Sequence, residues 1–165
     1  MKTIKIKDID TIVFDFDGVL TDNSVYLNDG GQEWVKCSRS DGLAFDVLKK
    51  LNKSVFILST EKNNVVSARA KKLKVPVIQA ISNKLDAIDI ITNQGSISLD
   101  RVLYVGNDLN DFNIMNLCGY TACPSDSHVS ILQISQFILK SKGGNGVARE
   151  IVEDIFDLDL LEILY

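Results

Sequence analysis

Short apolar runs punctuate this chain, with longer segments of helical spacing between them. Thr11-Ile12-Val13-Phe14, Ser54 to Ser59, a short run near Val77-Ile78, and Val102 to Val105 have the length and β-branched content of buried strands. The last of these is stopped by Gly106. Leu43, Ala44, Val47, Leu48 and Leu51 recur on one helical face, with Ser40 or Asp41 placed to cap it. Asn63 to Lys74 reads as a basic amphipathic helix ended by Pro76, and Leu85, Ile88 and Ile91 mark another. A helix follows over roughly Asp111 to Leu117, and a C-terminal one begins near Val147, after Gly143-Gly144-Asn145-Gly146. Alternating β and α elements predict an α/β fold: a mainly parallel sheet with helices on both faces.

One segment breaks the alternation. Ser24 to Asn28 and Gln32 to Ser38 read as the arms of a β-hairpin around the turn Asp29-Gly30-Gly31. This projecting unit, an insert at about residues 22–38, carries Val25, Tyr26, Leu27, Trp34 and Val35. A two-stranded ribbon is marginal alone. No repeat, linker or low-complexity tract divides the rest, so residues 1–165 are expected to form one domain.

Composition narrows the function classes. The chain has 165 residues, 45% hydrophobic and 24% charged, which are ordinary globular values. Its net charge of −4, with scattered Lys and Arg, argues against a nucleic-acid surface. No apolar run reaches membrane-spanning length and no signal peptide is recognisable. The three cysteines, Cys37, Cys118 and Cys123, lack metal-ligand spacing, and reduced thiols in a cytoplasmic protein are expected. His128 lies outside every motif and reads as a surface or capping residue.

The candidate chemistry sits at strand ends. Asp15 and Asp17 are two apart, directly after the first strand, so their side chains point the same way. Two adjacent anions repel unless a metal or a shared proton intervenes, and the pair asks for Mg²⁺. Gly18 lets the chain turn away. Ser59-Thr60-Glu61 follows the second long strand, then come Lys84 and Gly106-Asn107-Asp108-Leu109-Asn110-Asp111. A nucleophilic carboxylate with a second acid, a small hydroxyl, a cation and another acidic cluster suit phosphoryl transfer through an aspartyl-phosphate. Singly, several have plainer readings. Ser59 is as well explained as a satisfied strand-end hydroxyl, and Lys84 as a solvated helix-start lysine. Glu61, Arg69, Lys71 and Lys72 fit a solvated helix face. The glycine loop fits a simple connection, and Trp34 a packing or interface residue.

Taken in order, the segments resemble the haloacid dehalogenase superfamily. Within it, the likeness is to the small, capless 3-deoxy-D-manno-octulosonate (KDO) 8-phosphate phosphatases and their nonulosonate 9-phosphate relatives. The residues that carry it run from Asp15 to Asp22, then through Glu33-Trp34, Ser40-Asp41-Gly42 and Ile57 to Glu61. They continue through Arg69 to Leu73, Asn83-Lys84, Tyr104-Val105-Gly106 and Gly143 to Glu150. The resemblance implies a Rossmann-like domain. It makes Asp15 the phosphorylated nucleophile and a Mg²⁺ ligand, and Asp17 the general acid/base whose backbone carbonyl also binds the metal. It makes Ser59 the phosphate-binding hydroxyl and Lys84 the lysine that steadies Asp15 and the phosphoryl group. Asp108 and Asp111 fall in the acidic loop that completes the metal site. It also implies a homotetramer in which hairpins meet at the centre, neighbours help close each site, and Trp34 and Arg149 serve that closure.

Two positions depart from the family pattern. Asn107 stands where the first Asp of Gly-Asp-Asp is usual; an amide oxygen can ligate Mg²⁺ but lacks the charge, and Asp108 is placed to swing in. Thr60 adds a side chain where glycine is usual. The nonulosonate enzymes resemble this chain in carrying Glu at position 61 and a downstream Arg like Arg69. The expected substrate is therefore a phosphorylated 2-keto-3-deoxy sugar acid, a nonulosonate 9-phosphate before KDO 8-phosphate. Glu61 and Thr60 would meet its hydroxyls, and Arg69 or Lys72 its carboxylate. The competing expectation is a weakly active or non-catalytic module that assembles with a sugar-acid cytidylyltransferase. A general housekeeping phosphatase is a third.

Overall fold

The computed structural model describes residues 4–93 and 97–165. Strand β1 (Thr11–Asp15) is the pivot of the fold. After it the hairpin strands β2 (Tyr26–Leu27) and β3 (Glu33–Trp34) pair with each other, and helix α1 (Ser40–Lys50) leads to β4 (Ser54–Leu58). Helix α2 (Asn64–Leu73) connects β4 to β5 (Val77–Ile78), and α3 (Ile88–Asn93) precedes β6 (Val102–Val105). Then come α4 (Phe112–Met115), β7 (Tyr120–Cys123), α5 (Val129–Ile134), β8 (Phe137–Ile138), α6 (Val147–Glu150) and α7 (Leu160–Leu164). The main sheet runs β5-β4-β1-β6-β7-β8, and each of its pairings is parallel.

Period-two side chains divide the core between the two faces of this sheet. Ile12 and Phe14, Val55 and Ile57, Leu103 and Val105 face α1, α2 and the C-terminal helices. Val13, Phe56 and Leu58, Val102 and Tyr104 face the side that holds Ala87, Ile91, Ile114, Met115 and Ile131. Apolar runs without alternating polar residues are therefore what a sheet covered on both faces requires. The chain leaves β1 toward β4 on one side and returns to β6 on the other. That reversal opens a crevice beyond the C-terminal ends of the three strands.

Local boundaries shift where side chains take other duties. Asn63 and Lys74, expected as the ends of α2, are its caps: Asn63 Oδ1 accepts the Val65 amide at 3.1 Å, and Lys74 turns left-handed with φ +57°. Neither Ser40 nor Asp41 caps α1. Ser38 Oγ accepts the Ser40 amide at 3.2 Å instead, and Asp41 is turned inward, accepting the Arg149 amide of α6 at 3.2 Å. The expected helix from Asp111 begins as a 3-10 turn at Leu109, because Asp108 and Asp111 form a reciprocal capping box there. In the acidic run 157–162, Leu160 is buried while Asp159 caps α7. His128 is exposed and caps α5 through the Ser130 amide, as expected of a capping residue.

The hairpin pairs over fewer residues than its expected arms, with Tyr26 opposite Trp34 and Leu27 opposite Glu33, and a Thr21–Cys37 bridge closes its base. Val25, Tyr26, Leu27 and Trp34 are 47 to 65% exposed on it. The three cysteines are free. Among the described residues no helix is long and apolar enough to cross a membrane.

Candidate active site

The crevice forms a cleft of about 280 Å³ lined by Asp15, Asp17, Asn23, Ser59, Thr60, Asn107, Asp108 and Asn110. Asp15 is the last residue of β1, and Ser59 and Asn107 lie just beyond the ends of its two neighbours β4 and β6. Three separate segments therefore meet because adjacent parallel strands end together.

Beneath the cleft lies a buried ionic trio. Lys84, 2% exposed, places Nζ 2.7 Å from Asp15 Oδ1 and 2.6 Å from Asp111 Oδ1. Asn83 orients it by accepting the Leu85 amide at 3.1 Å. The plainer reading of Lys84 as a solvated lysine therefore falls. One cation faces two carboxylates, so the trio carries an excess negative charge that water cannot screen. Burial, then the charge of Asp111, push the Asp15 carboxyl up against the pull of Lys84. Burial also works against the charged Lys84, but Asp15 and Asp111 outweigh it and hold the ammonium above its usual range.

Asp111 does not line the cleft; both its oxygens are engaged. Oδ1 takes Lys84 and the Tyr104 hydroxyl, the latter at 2.8 Å, and Oδ2 takes the amides of Asn107 at 2.9 Å and Asp108 at 3.3 Å. It shapes the 107–111 loop and aims Lys84 rather than offering a free oxygen to a metal. Burial first, then Asp111, keep the Tyr104 hydroxyl a neutral donor, its pKa well above the usual value.

Asp15 Oδ1 also accepts the Phe16 amide at 2.7 Å, which fixes the carboxylate plane. Asp17, on the tight turn that follows, is raised by burial and then by Glu61, while Lys84 and the Thr21 hydroxyl pull the other way. Ser59 is 1% exposed, and its Oγ accepts the Glu61 amide at 3.0 Å, so its hydroxyl proton remains available. Asp108 Oδ1 accepts the Leu109 amide at 2.7 Å from the cleft wall.

Some of these groups could hold a cation. Among the described residues no trio of His, Cys, Asp and Glu side chains converges as metal ligands. The Asn107 amide instead approaches the Asp17 carbonyl oxygen at 2.8 Å and Asp15 Oδ2 at 3.1 Å. One carboxylate, one carbonyl and one amide are hard oxygen donors suited to Mg²⁺. The excess charge of the trio favours the same ion.

The expected substrate residues divide. Ser59 and Thr60 line the cleft. Glu61 stands at its edge within electrostatic reach of Asp17, with Oε1 accepting the Lys62 and Asn63 amides at 2.6 and 2.8 Å. Arg69, Lys72 and Arg149 do not line it. Arg69 Nη2 donates to Ser38 O at 2.7 Å at the hairpin root, Lys72 is exposed on α2, and Arg149 pairs with Glu153 at 2.6 Å. On α2 and α6 these cations point where helical phase sends them, and spacing alone does not show which face meets the cleft.

The sequence reading missed Asn23 and Asn110. Asn23 adopts φ +62° after Asp22, a conformation that asparagine tolerates, and the Asp-Asn pair was the available signal. Glu33, one of the residues that carry the resemblance, accepts Asn63 Nδ2 at 2.8 Å through Oε2 and ties the hairpin to the start of α2.

The glycine loop is more than a connection. A Cβ on Gly143 would lie 2.3 Å from Gly18 O, and the Gly144 amide donates to Val19 O at 3.0 Å. The loop presses on the turn that carries Asp17.

The family of haloacid dehalogenase-like hydrolases matches residues 45–151, more than half of the chain. The chain belongs to this family. The matched stretch of this haloacid dehalogenase-like hydrolase holds Ser59, Lys84 and the 107–111 loop, while Asp15 and Asp17 precede it. A 3-deoxy-D-manno-octulosonate 8-phosphate phosphatase of Salmonella typhi is 29% identical over 150 residues, 90% of this chain and 80% of the relative. A Streptomyces avermitilis chain assigned to the same hydrolases superposes with a TM-score of 0.91 at 39% identity, over 96% of this chain and 91% of that one. The 3-deoxy-D-manno-octulosonate 8-phosphate phosphatase of Moraxella catarrhalis, solved with magnesium, phosphate and KDO, superposes with a TM-score of 0.84 at 29% identity, covering 88% and 84%. The expected fold and the expected phosphatase class of hydrolase are borne out.

Proposed function

We propose that this chain is a Mg²⁺-dependent phosphatase for a phosphorylated 2-keto-3-deoxy sugar acid, acting as one domain with its hairpin insert. The observation that carries the reading is the Asp15 carboxylate: it lines the cleft while Lys84, 2.7 Å away, grips it from below. Such a carboxylate is fixed in orientation and open to phosphorus on one side only.

The reaction follows from these groups. Asp15 attacks phosphorus and the bond to the sugar oxygen breaks. Asp17 gives its proton to that leaving oxygen. Water then attacks the aspartyl-phosphate, Asp17 takes up its proton, phosphate leaves and Asp15 is restored. The Ser59 hydroxyl donates to a phosphoryl oxygen, and Lys84 offsets charge as it builds. Asp15, the Asp17 carbonyl and Asn107, with Asp108 beside them, would hold Mg²⁺, which when bound would further neutralise the phosphoryl oxygens.

With the phosphoryl group against Asp15 and Ser59, the distal part of the sugar acid points past Glu61 toward the hairpin. Glu61 and Glu33 offer acceptors to hydroxyls there, which supports a nonulosonate 9-phosphate over KDO 8-phosphate. The apolar hairpin supports a homotetramer in which neighbouring subunits supply cations such as Arg149 that one chain leaves outside its own cleft. We place the protein in the cytoplasm, where such phosphates are made.

The uncharged Asn107 favours a second reading, a weakly active or non-catalytic partner of a sugar-acid cytidylyltransferase. Phosphate release with Mg²⁺ from a nonulosonate 9-phosphate, KDO 8-phosphate and p-nitrophenyl phosphate separates the two. Preferred turnover of a sugar acid phosphate supports the first; no release from any ester supports the second. Equal rates on all three would mean a general phosphatase.

A further inference from the structure

Asn107 is 7% exposed and stands against Asp15 and Asp17, two of the three acidic residues of the cleft. One end of its amide lies 2.8 Å from the Asp17 carbonyl oxygen and 3.1 Å from Asp15 Oδ2. Which atom occupies that end changes the physics. With Nδ2 there, both contacts are hydrogen bonds, and two buried acceptors are satisfied without any ion. With Oδ1 there, three oxygens confront one another, an arrangement that a bound cation makes favourable. The two arrangements differ by a half-turn of one planar group. Gly18 leaves the space for it, since a Cβ there would lie 2.7 Å from the amide carbon.

We propose that Asn107 is a two-way residue. In the metal-free protein its Nδ2 bridges Asp15 and Asp17 and stands in for the missing cation. When Mg²⁺ binds, the amide turns over and presents Oδ1. The proposal rests on the reading of this cleft as a Mg²⁺ seat and adds what that reading lacks, a reason for an amide here. A carboxylate at 107 only accepts. It would hold a cation better and, without one, add a third buried anion beside Asp15 and Asp111. Asparagine therefore gives up metal affinity and keeps the empty site intact, so the protein cycles between loaded and unloaded states without loosening.

The test uses the ¹⁵N-labelled full chain, stripped with chelator and then titrated with Mg²⁺. The Asn107 side-chain NH₂ signals are identified by their absence in Asn107→Ser. In the stripped protein they should exchange with water slowly, and saturation with Mg²⁺ should speed that exchange by roughly tenfold or more as two hydrogen bonds are lost. Thermal melts supply the second arm. Stripped Asn107→Asp should melt about 3 °C or more below stripped native protein, and its Mg²⁺-induced rise should be the larger. An amide that stays protected while Mg²⁺ raises the native melting temperature overturns the proposal and spares the metal seat. So does an amide already unprotected in the stripped protein. No Mg²⁺-induced rise in either protein removes the metal seat and the proposal together.

Discussion

Gly18 and Asn107 compete for one space: a Cβ added to Gly18 would lie 2.7 Å from the Asn107 amide carbon. Gly18 also holds φ +79°, where a side chain costs about 1 kcal/mol or more. Gly18→Ala should therefore drive the amide away from Asp15 and Asp17 besides straining the turn. The expected result is a melting temperature lower by several degrees and phosphate release reduced at least tenfold, on the order of 1.4 kcal/mol in the barrier. Native activity and stability in this variant would mean that the turn and the amide are not in contact.

The ionic trio predicts opposite effects for its members. Asp15→Asn removes the proposed nucleophile and also the surplus charge, leaving Lys84 paired with Asp111. Phosphate release should vanish while the metal-free melting temperature holds or rises. Lys84→Met leaves two buried carboxylates without a cation, a loss on the order of 3–5 kcal/mol. Melts of both variants beside an activity assay check the pair. A destabilised Asp15→Asn would show that the trio is not short of positive charge.

Asp41 predicts a pH effect away from the cleft. Its carboxyl is 1% exposed, and Oδ2 has no hydrogen-bond partner among the described residues. Burial pushes it up to about 6, against the Arg149 and Ala148 amides and the charge of Arg69. Cys37 is the other titratable group within reach. A carboxyl raised from 3.8 in this way favours folding most when protonated. Its contribution is full below the unfolded value and fades as pH rises through about 6, on the order of 3 kcal/mol in all. Asp41→Asn keeps the acceptor for Arg149 N and has no charge to bury. Its melting temperature should gain on the native protein between pH 4 and pH 7. Parallel pH curves would refute this.

Assembly is predicted from the hairpin. Leu27 and Trp34 are 65 and 47% exposed on neighbouring strands of the same ribbon. Leu27→Lys with Trp34→Glu should lower the mass seen by light scattering from a tetramer to a monomer or dimer, and weaken sugar-phosphate turnover more than p-nitrophenyl phosphate turnover. A native protein that scatters as a monomer at micromolar concentration would already contradict this assembly.

The centre of this fold was legible because β1, β4 and β6 are runs of apolar residues that lead to a residue with chemistry, whereas β7 and β8, short and without such a residue, were not expected. Asp15, Ser59 and Asn107 could be aligned before any coordinates, since parallel strands bring their C-terminal ends together. Lys84 was legible as a member of the set, but its burial between two carboxylates was not; nothing local distinguishes it from a surface lysine. Arg69 and Arg149 show the converse failure. Their charge suits a sugar acid, yet helix phase and nearby acceptors, Ser38 O and Glu153, draw them elsewhere. Asp111 looked like a ligand because it is acidic and near the metal loop, but its oxygens are consumed by Lys84, Tyr104 and two amides. Such long-range pairings leave no periodic trace in a sequence.

The glycine loop has a consequence in time as well as in space. Translation delivers Asp15 and its turn more than a hundred residues before Gly143 and Gly144, which press on that turn. Until those glycines emerge, Gly18 and Val19 lack the neighbours that set the turn's shape. A nascent chain thus holds Asp15, the proposed nucleophile, in an unfinished cleft, and hydrolysis waits until these glycines have been made. Chains arrested before residue 143 should stay silent toward phosphate esters even where the central strands have already paired.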